Sequence, residues 1–459
     1  MRRNAVRIAV LALTGVVLST SRASAQGFGV YEHDACAMGR AGTGVAAPCN
    51  ASAMFYNPAG IVRSGGTKWQ VSLGGTMIRP SFTFTDSATG VATAGPVNSI
   101  PVPHLYISRQ FANGWAGGIG VFAPYGLISE WPVTFSGRFL GYRSELKTIY
   151  IQPTVARQIN NWLQIGAGFD YIRTIVNLKQ RVDLSSQATT IPGVTFAGLG
   201  TPVGTDFADA NIKGGSWSAG AHIGVIVKPM NHVSLGARYL FRSTGDVQGD
   251  AFFTPVSTGI TLAAGNPFGV PAGTPLDSVV AAQFRTGGAL VKQHASTRVP
   301  LPDQIVVGIA VNLTSQLTLL ADYQWVHWDR FSKLQLTFAN LGTRTLWEDY
   351  KNTNGYRLGA QFDVTPKLSL RGGVLKHDGA APDNTVTPLL PEGARVEQTF
   401  GASLQISTHG RLEAAYQHIN QQDRRGRVVD APRFGGAALN TGLYSGGANL
   451  FGVSLVWGF

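Results

Sequence analysis

The chain has 459 residues, 14% of them charged, with 57 glycines, two cysteines and a formal net charge of +12. Soluble domains carry about 25% Asp, Glu, Lys and Arg, which argues against a surface wholly in water; 44% hydrophobic and 10% aromatic residues exclude a disordered chain. A mean hydropathy of +0.06 is too low for a bundle of membrane helices.

The first element is a leader. Arg2, Arg3 and Arg7 precede the apolar run 8–18, and Ala23-Ser24-Ala25 supplies a small-residue cleavage site, so residues 1–25 read as a secretory signal peptide. The leader holds four arginines, Arg2, Arg3, Arg7 and Arg22, so four of the twelve net charges leave with it, and the rest need not imply a nucleic-acid partner. Past residue 25 no run of about 18 apolar residues occurs, which excludes a membrane helix.

From there the pattern has period two. Apolar residues alternate with polar ones or glycine in Val233 to Phe241, Leu317 to Trp325, Leu368 to Val374, Leu412 to Tyr416 and Phe451 to Phe459. These segments of about ten residues predict strands. Short turns are expected at 112–114, 160–161, 229–231, 314–316, 365–367 and 408–410. Longer connections fall at 81–102, 125–144, 185–211, 250–300, 340–346, 378–393 and 424–448. Six short turns alternating with seven long loops give fourteen strands, the pattern of a bacterial outer-membrane β-barrel. Trp325 would then stand in the outer aromatic girdle. The terminal Phe459, with apolar residues at every second position back to Phe451, is similar to the strand signal read by the barrel assembly machinery; the alternative is an ordinary closing strand that ends in Phe.

No G-x-S-x-G, H-E-x-x-H, C-x-x-C or phosphate-loop motif is present, so neither an enzyme nor a cofactor or metal site is expected. Cys36 and Cys49 either form a disulfide, which an oxidising periplasm allows and which would be worth ~3 kcal/mol in the chain-entropy model, or lie too far apart to bond.

Gln26-Gly27-Phe28-Gly29, Met38-Gly39-Arg40-Ala41-Gly42 and Phe55-Tyr56-Asn57-Pro58-Ala59-Gly60 stand in one order near the expected mature N-terminus. Gly120 to Leu127, Trp131, Ile151-Gln152-Pro153, Gly166 to Tyr171, Leu301-Pro302-Asp303 and Asp322 through Trp328 follow. Together they resemble the FadL/TodX family of outer-membrane transporters of long-chain fatty acids and aromatic hydrocarbons. The resemblance implies an all-β fold, a 14-stranded antiparallel transmembrane barrel (68–459) whose lumen holds an N-terminal hatch (26–67).

The resemblance also implies passive uptake: capture in a groove of the outer loops 185–211 and 250–300, transfer to a lumen pocket reached by Phe28, a shift of the hatch with its Asn57, Pro58, Ala59 and Gly60, and exit beside an inward-kinked third strand carrying Gly117, Gly118 and Gly120. Phe196, Phe252 and Phe253 either line the capture groove or pack the loops on each other. Arg173 and Arg181 follow the Gly-Phe-Asp-Tyr stretch, where the fatty acid transporters place a carboxylate-binding Arg. Arg238, Arg242, Arg357 and Arg371 are further candidate lumen cations. A family Lys expected after Trp328 aligns with Gln335, and Lys333 lies two positions away. That departure keeps neutral aromatic hydrocarbons beside long-chain fatty acids as expected ligands, and an anion-preferring porin is the alternative of another class. The expected setting is a monomer in the bacterial outer membrane, in contact with its lipid and lipopolysaccharide.

Overall fold

The computed structural model describes residues 27–62, 68–189, 191–426 and 441–459; the expected signal peptide and both outer limits of the expected hatch lie outside them. Fourteen antiparallel strands close into one barrel. They are β1 (Trp69–Asp86), β2 (Ile100–Gln110), β3 (Trp115–Phe122, resuming at Gly126–Glu130), β4 (Arg143–Gln158), β5 (Leu163–Asp183), β6 (Asp206–Met230) and β7 (Val233–Leu240, then Ser243–Pro255). β8 (Gln293–Leu301, then Gln304–Asn312), β9 (Leu317–Val326, then Lys333–Phe338), β10 (Gly342–Trp347, then Thr353–Thr365), β11 (Leu368–His377), β12 (Arg395–Gln405), β13 (Gly410–Arg425) and β14 (Gly442–Gly458) complete it. Each strand pairs with its chain neighbours, and β14 pairs with β1 from Gly458 opposite Gln70 to Gly442 opposite Asp86, leaving no open edge at the seam.

The alternation is inside out compared with a soluble sandwich. On β14, Phe451, Val453, Leu455 and Trp457 are exposed, while Tyr444, Leu450, Ser454 and Val456 are buried. A closed barrel with its apolar side chains outward needs lipid as solvent. Two aromatic belts border that surface. One holds Tyr171 against Trp217, Tyr239 against Phe241 and Tyr323 against Tyr356, with Trp325 beside His327. The other, at the short turns, holds Trp69, Trp115, Trp162 and Trp457, with Arg109 over Trp69 and Arg157 over Trp115.

The long loops are narrower than the sequence suggests. β5 and β6 stay paired out to Asp183 opposite Asp206, and β7 and β8 out to Ala251 opposite Gln293. The connections shrink accordingly to 184–205 and 256–292. Pairing satisfies backbone groups that a loop would leave to water, so the strands run on above the lipid.

Residues 27–62 fold inside the barrel around α1 (Ala35–Met38), α2 (Ala53–Tyr56) and a 3-10 turn at Pro58–Ile61. Local turns satisfy part of this backbone, and inward side chains of the wall bond several of the groups left over. Asp322 accepts from Gly44 N (2.9 Å) and Val45 N (3.2 Å), Thr399 Oγ1 from Ala41 N (2.9 Å) and Ser454 Oγ from Ala35 N (3.0 Å). Thr76 Oγ1 donates to Glu32 O (2.7 Å) and Gln152 Nε2 to Met54 O (2.9 Å). Asp34 caps α1 and also accepts from Asn50 Nδ2 at 2.8 Å, and Cys36 and Cys49, with Cα atoms 6.2 Å apart, are joined by a disulfide that closes the same loop.

Asn57 ties the plug together and to two strands of the wall. Its Nδ2 donates to Val45 O (2.7 Å), Val225 O (3.0 Å) and Ala237 O (3.4 Å), and its Oδ1 accepts from Ala59 N (3.1 Å). Gly224 makes room for it: a Cβ there would collide with the Asn57 amide. Asn57→Ala leaves buried carbonyls without a donor, at about 1–3 kcal/mol. It is expected to lower the thermal midpoint of the purified barrel and to cause flickering conductance in planar bilayers; a silent, equally stable variant would show that Asn57 does not anchor the plug.

Candidate functional site

The wall has a break in its hydrogen bonding beside the plug. β2 pairs with β1 over Ile100 to Arg109, but with β3 only from Leu105 opposite Val121 to Gln110 opposite Ala116. After Phe122 the chain turns at Ala123-Pro124-Tyr125 and β3 resumes paired to β4 alone, Gly126 opposite Lys147 to Glu130 opposite Arg143. Among the described residues, Ile100 to His104 therefore has no strand on its β3 side.

The sequence suits that vacancy. Gln110 N donates to Lys68 O and Phe111 N to Trp115 O, so even-numbered amides of β2 face β1 and odd-numbered ones face β3. Pro101 and Pro103 fall where an amide would point into the gap, and neither has an N–H to leave unpaired.

The plug enters the turn instead. Val30 N donates to Pro124 O and Gly126 N to Phe28 O, both at 2.9 Å, with Gly29 bridged to Tyr125. Tyr125 reaches across the lumen, where its OH donates to Pro302 O (2.6 Å) and accepts from Gln304 Nε2 (2.6 Å). Phe28 is buried among Trp328, Phe331 and Tyr125, with ring centroids 4.6, 5.4 and 6.0 Å away.

Beside Phe28 lies a cavity of about 530 Å³. Pro101 and Pro103 line it from β2 and Leu127 and Ile128 from the resumed β3, and it reaches the outward side chain of Ile149, so it meets the wall at the unpaired edge. The size falls within the ~300–1,000 Å³ of small-molecule pockets. Its lining is largely apolar, with a polar end at Glu32, Glu392 and Arg395 and with Lys147 at the rim. Glu392 accepts from Gly27 N, Ala380 N and Ala381 N, each at 2.9 Å. Glu32 accepts from Tyr31 N and Gln417 Nε2 at 2.9 Å; burial, and then nearby Glu397, push its carboxyl above the usual range. Both cations already face acids: Arg395 Nε lies 2.7 Å from Glu397 and Lys147 contacts Glu145. Burial pushes His33 down to about 3, which keeps its ring neutral and donating to Val30 O at 3.0 Å.

The sequence that forms this barrel, plug and broken third strand matches a family described as "Outer membrane protein transport protein (OMPP1/FadL/TodX)" over residues 16–459. The chain belongs to the OMPP1/FadL/TodX family. It is an outer-membrane barrel of the bacterial envelope, and its family moves hydrophobic compounds across that membrane. It is 24% identical over 461 residues to a long-chain fatty acid transport protein of Escherichia coli O6:H1, covering 97% of each chain. It is 23% identical over 457 residues to a 47 kDa outer membrane protein of Pasteurella multocida, covering 98% of each. Its fold is similar to that of a Pseudomonas aeruginosa FadL homologue, with TM-score 0.77, 20% identity and coverage of 95% of this chain and 100% of the other. For the Ralstonia pickettii toluene transporter TbuX the values are 0.66, 19%, 94% and 99%.

Within this FadL/TodX-family barrel the expected site residues separate. Phe28 joins the cavity. Arg173, Arg181 and Lys333 do not: Arg173 lies over the outward ring of Trp217 (5.4 Å), Arg181 pairs with Asp209 (3.5 Å) and Lys333 is exposed beside Trp347. The strand alternation carries all three away from the lumen, because each shares the parity of exposed neighbours such as Tyr171. Arg242 is exposed as well, in the break of β7. Arg238, Arg357 and Arg371 do point inward, bonded respectively to Gln304, Gln324 and Gln361, with Arg238 over Phe55 and Arg357 over Tyr31.

The outer-loop aromatics form a closed cluster rather than an open groove. Phe196 stacks on Phe268 (5.8 Å) and Phe207 meets Phe284 (6.0 Å), over buried Leu184 and Leu276. Phe253 packs between that cluster and the lumen core, and Phe252 points outward under Lys292. Gly117, Gly118 and Gly120 precede the break; a Cβ on Gly118 would press on Met54 of the plug, one on Gly120 on Tyr106 and one on Gly117 on Phe111, so they admit neighbours and Pro124 marks the turn.

Replacing Pro101 and Pro103 with Val restores two amides aimed at the gap. The double variant is expected to pair β2 with the resumed β3 and slow ligand passage several-fold at unchanged barrel yield, read as uptake per folded barrel. Unchanged passage would remove the gap from the pathway.

Proposed function

We propose that the chain takes up hydrophobic small molecules passively, holds them in the cavity beside Phe28 and releases them sideways between β2 and the resumed half of β3. The observation that carries this reading is the coincidence of one apolar cavity with the unpaired wall edge that Pro101 and Pro103 line. In this reading residues 26–67 are the hatch and 68–459 the barrel. Only the start of the hatch needs to move, because Phe28 and Val30 hold the turn at Pro124 while the disulfide and Asn57 retain the rest.

Long-chain fatty acids are the first substrate class, because relatives aligned over nearly the whole chain are named as their transporters. Neutral aromatic hydrocarbons are the second reading. It is favoured by the outward Arg173, Arg181 and Lys333 and by cavity cations that already face acids. An anion-selective porin fits less well, since the buried plug occupies the lumen through which hydrophilic solutes would pass.

Uptake of oleate and of toluene by a deletion strain, with and without the plasmid-borne gene, tests the reading. Loss on deletion and recovery on complementation are expected for at least one, and the one affected fixes the substrate class. Wild-type uptake of both by the deletion strain would overturn it.

A further inference from the structure

Three cations in the upper halves of β5 and β6 are left without work by the transport reading. Arg173, Lys179 and Lys213 all face outward, and among the described residues none has an ion-pair partner. The other cations of this wall differ: Arg181 pairs with Asp209, Lys292 with Asp250, Arg298 with Asp246, and Lys147 and Arg143 with Glu145. The acids of these pairs are thus engaged, while Arg173, Lys179 and Lys213, like Arg242 in the break of β7, have no ion-pair partner among the described residues.

Register groups them. Arg173 is opposite Trp217, Asn177 opposite Lys213 and Lys179 opposite Asn211, so the three occupy three of four consecutive outward rows on two adjacent strands, with the row Ile175–Gly215 between Arg173 and Lys213. Gly215 lies between Trp217 and Lys213 on the same face, and a Cβ there would come within 2.6 Å of Arg173 Nη2. The guanidinium therefore leans across the strand over a bare glycine, away from the lipid band and towards Lys213. Directly below are the stacked rings of Tyr171 and Trp217, 45% and 51% exposed, with Phe169 and Ile223 beneath them. Rings at the edge of an apolar band mark the headgroup level, here on the side of the long loops.

We propose that Arg173, Lys179 and Lys213 form a docking site for the phosphates of lipid A in the outer leaflet, with the acyl chains running down the wall past Tyr171 and Trp217. Charge complementarity supports this occupant: a planar guanidinium and two ammonium groups suit phosphate oxygens, which need no proton exchange to accept from them. The apolar strip below suits the chains attached to the same molecule. The site is separate from the cavity, so it stands whether or not the transport reading does.

Native mass spectrometry of the full-length barrel in detergent, titrated with Kdo2-lipid A, tests it. The Arg173→Gln/Lys179→Gln/Lys213→Gln variant is expected to bind at least tenfold more weakly. Removing the lipid's phosphates should weaken wild-type binding to the same level, and Arg157→Gln, which removes one cation at the opposite membrane face, should leave it intact. Equal binding by wild type and triple variant overturns the proposal, as does equal binding of the dephosphorylated lipid or of phosphatidylglycerol. Should the triple variant not fold, quenching of Trp fluorescence by brominated-chain lipid A, compared between wild type and Lys213→Gln, gives the same decision. Loss of substrate uptake in the triple variant with lipid binding retained would return Arg173 to substrate recognition and also overturn it.

Discussion

The structure depends on how a short, mostly irregular segment keeps its backbone polar groups satisfied inside a membrane barrel. Residues 27–62 contain two helices of four residues each, whose turns and caps satisfy most of their own amides, while other backbone groups of the segment depend on partners in the wall. The partners are inward side chains on widely separated strands: Thr76, Gln152, Asp322, Thr399 and Ser454. Such bonds are strong because the site is dry, and leaving one unmade costs about 1–3 kcal/mol, so plug and barrel fix each other's geometry. Glycines on the inner wall follow from the same demand, since Gly224, Gly401 and Gly452 each let the plug approach to contact.

A closed ladder would leave a hydrophobic molecule no way out of such a barrel except through the plug. The turn at Pro124 changes that by taking β3 away from β2 while β4 keeps it paired. Exposing a strand edge inside a membrane is costly unless its donors are removed or covered. Pro101 and Pro103 remove two donors, and the first residues of the plug cover the turn. The cavity therefore sits where the wall is cheapest to open, and its apolar lining is continuous with that edge.

The fold was legible in the sequence because barrel strands announce themselves twice: through period-two alternation, as in Leu317 to Trp325, and through the regular exchange of short turns and long loops. The plug was legible through resemblance, carried by the Asn57-Pro58-Ala59-Gly60 turn. The site was much less so. Arg173 and Arg181 stand next to a family-like stretch, yet a one-residue change of parity sends a side chain to the opposite face, and sequence neighbourhood says nothing about that. The inward Arg238, Arg357 and Arg371 were named only as candidates, while Arg395 and Glu392 were missed because neither lies in a motif. One signal was available and unused: Pro-x-Pro at 101–103, next to an alternating segment, marks a strand with an unpaired edge. The loop aromatics show the reverse difficulty, since Phe196 and Phe268 look alike in sequence whether they wait for a ligand or pack on each other.

The central claim is that ligand passage disturbs the start of the plug and the broken strand while the rest of the plug stays bonded to the wall. Hydrogen–deuterium exchange of the purified barrel, with and without saturating ligand, measures it directly. The account predicts altered protection at residues 28–33 and 123–130 and unchanged protection from α1 through the Pro58–Ile61 turn. Ligand-induced exchange throughout 34–61 would mean that the plug opens as a unit, and would contradict it.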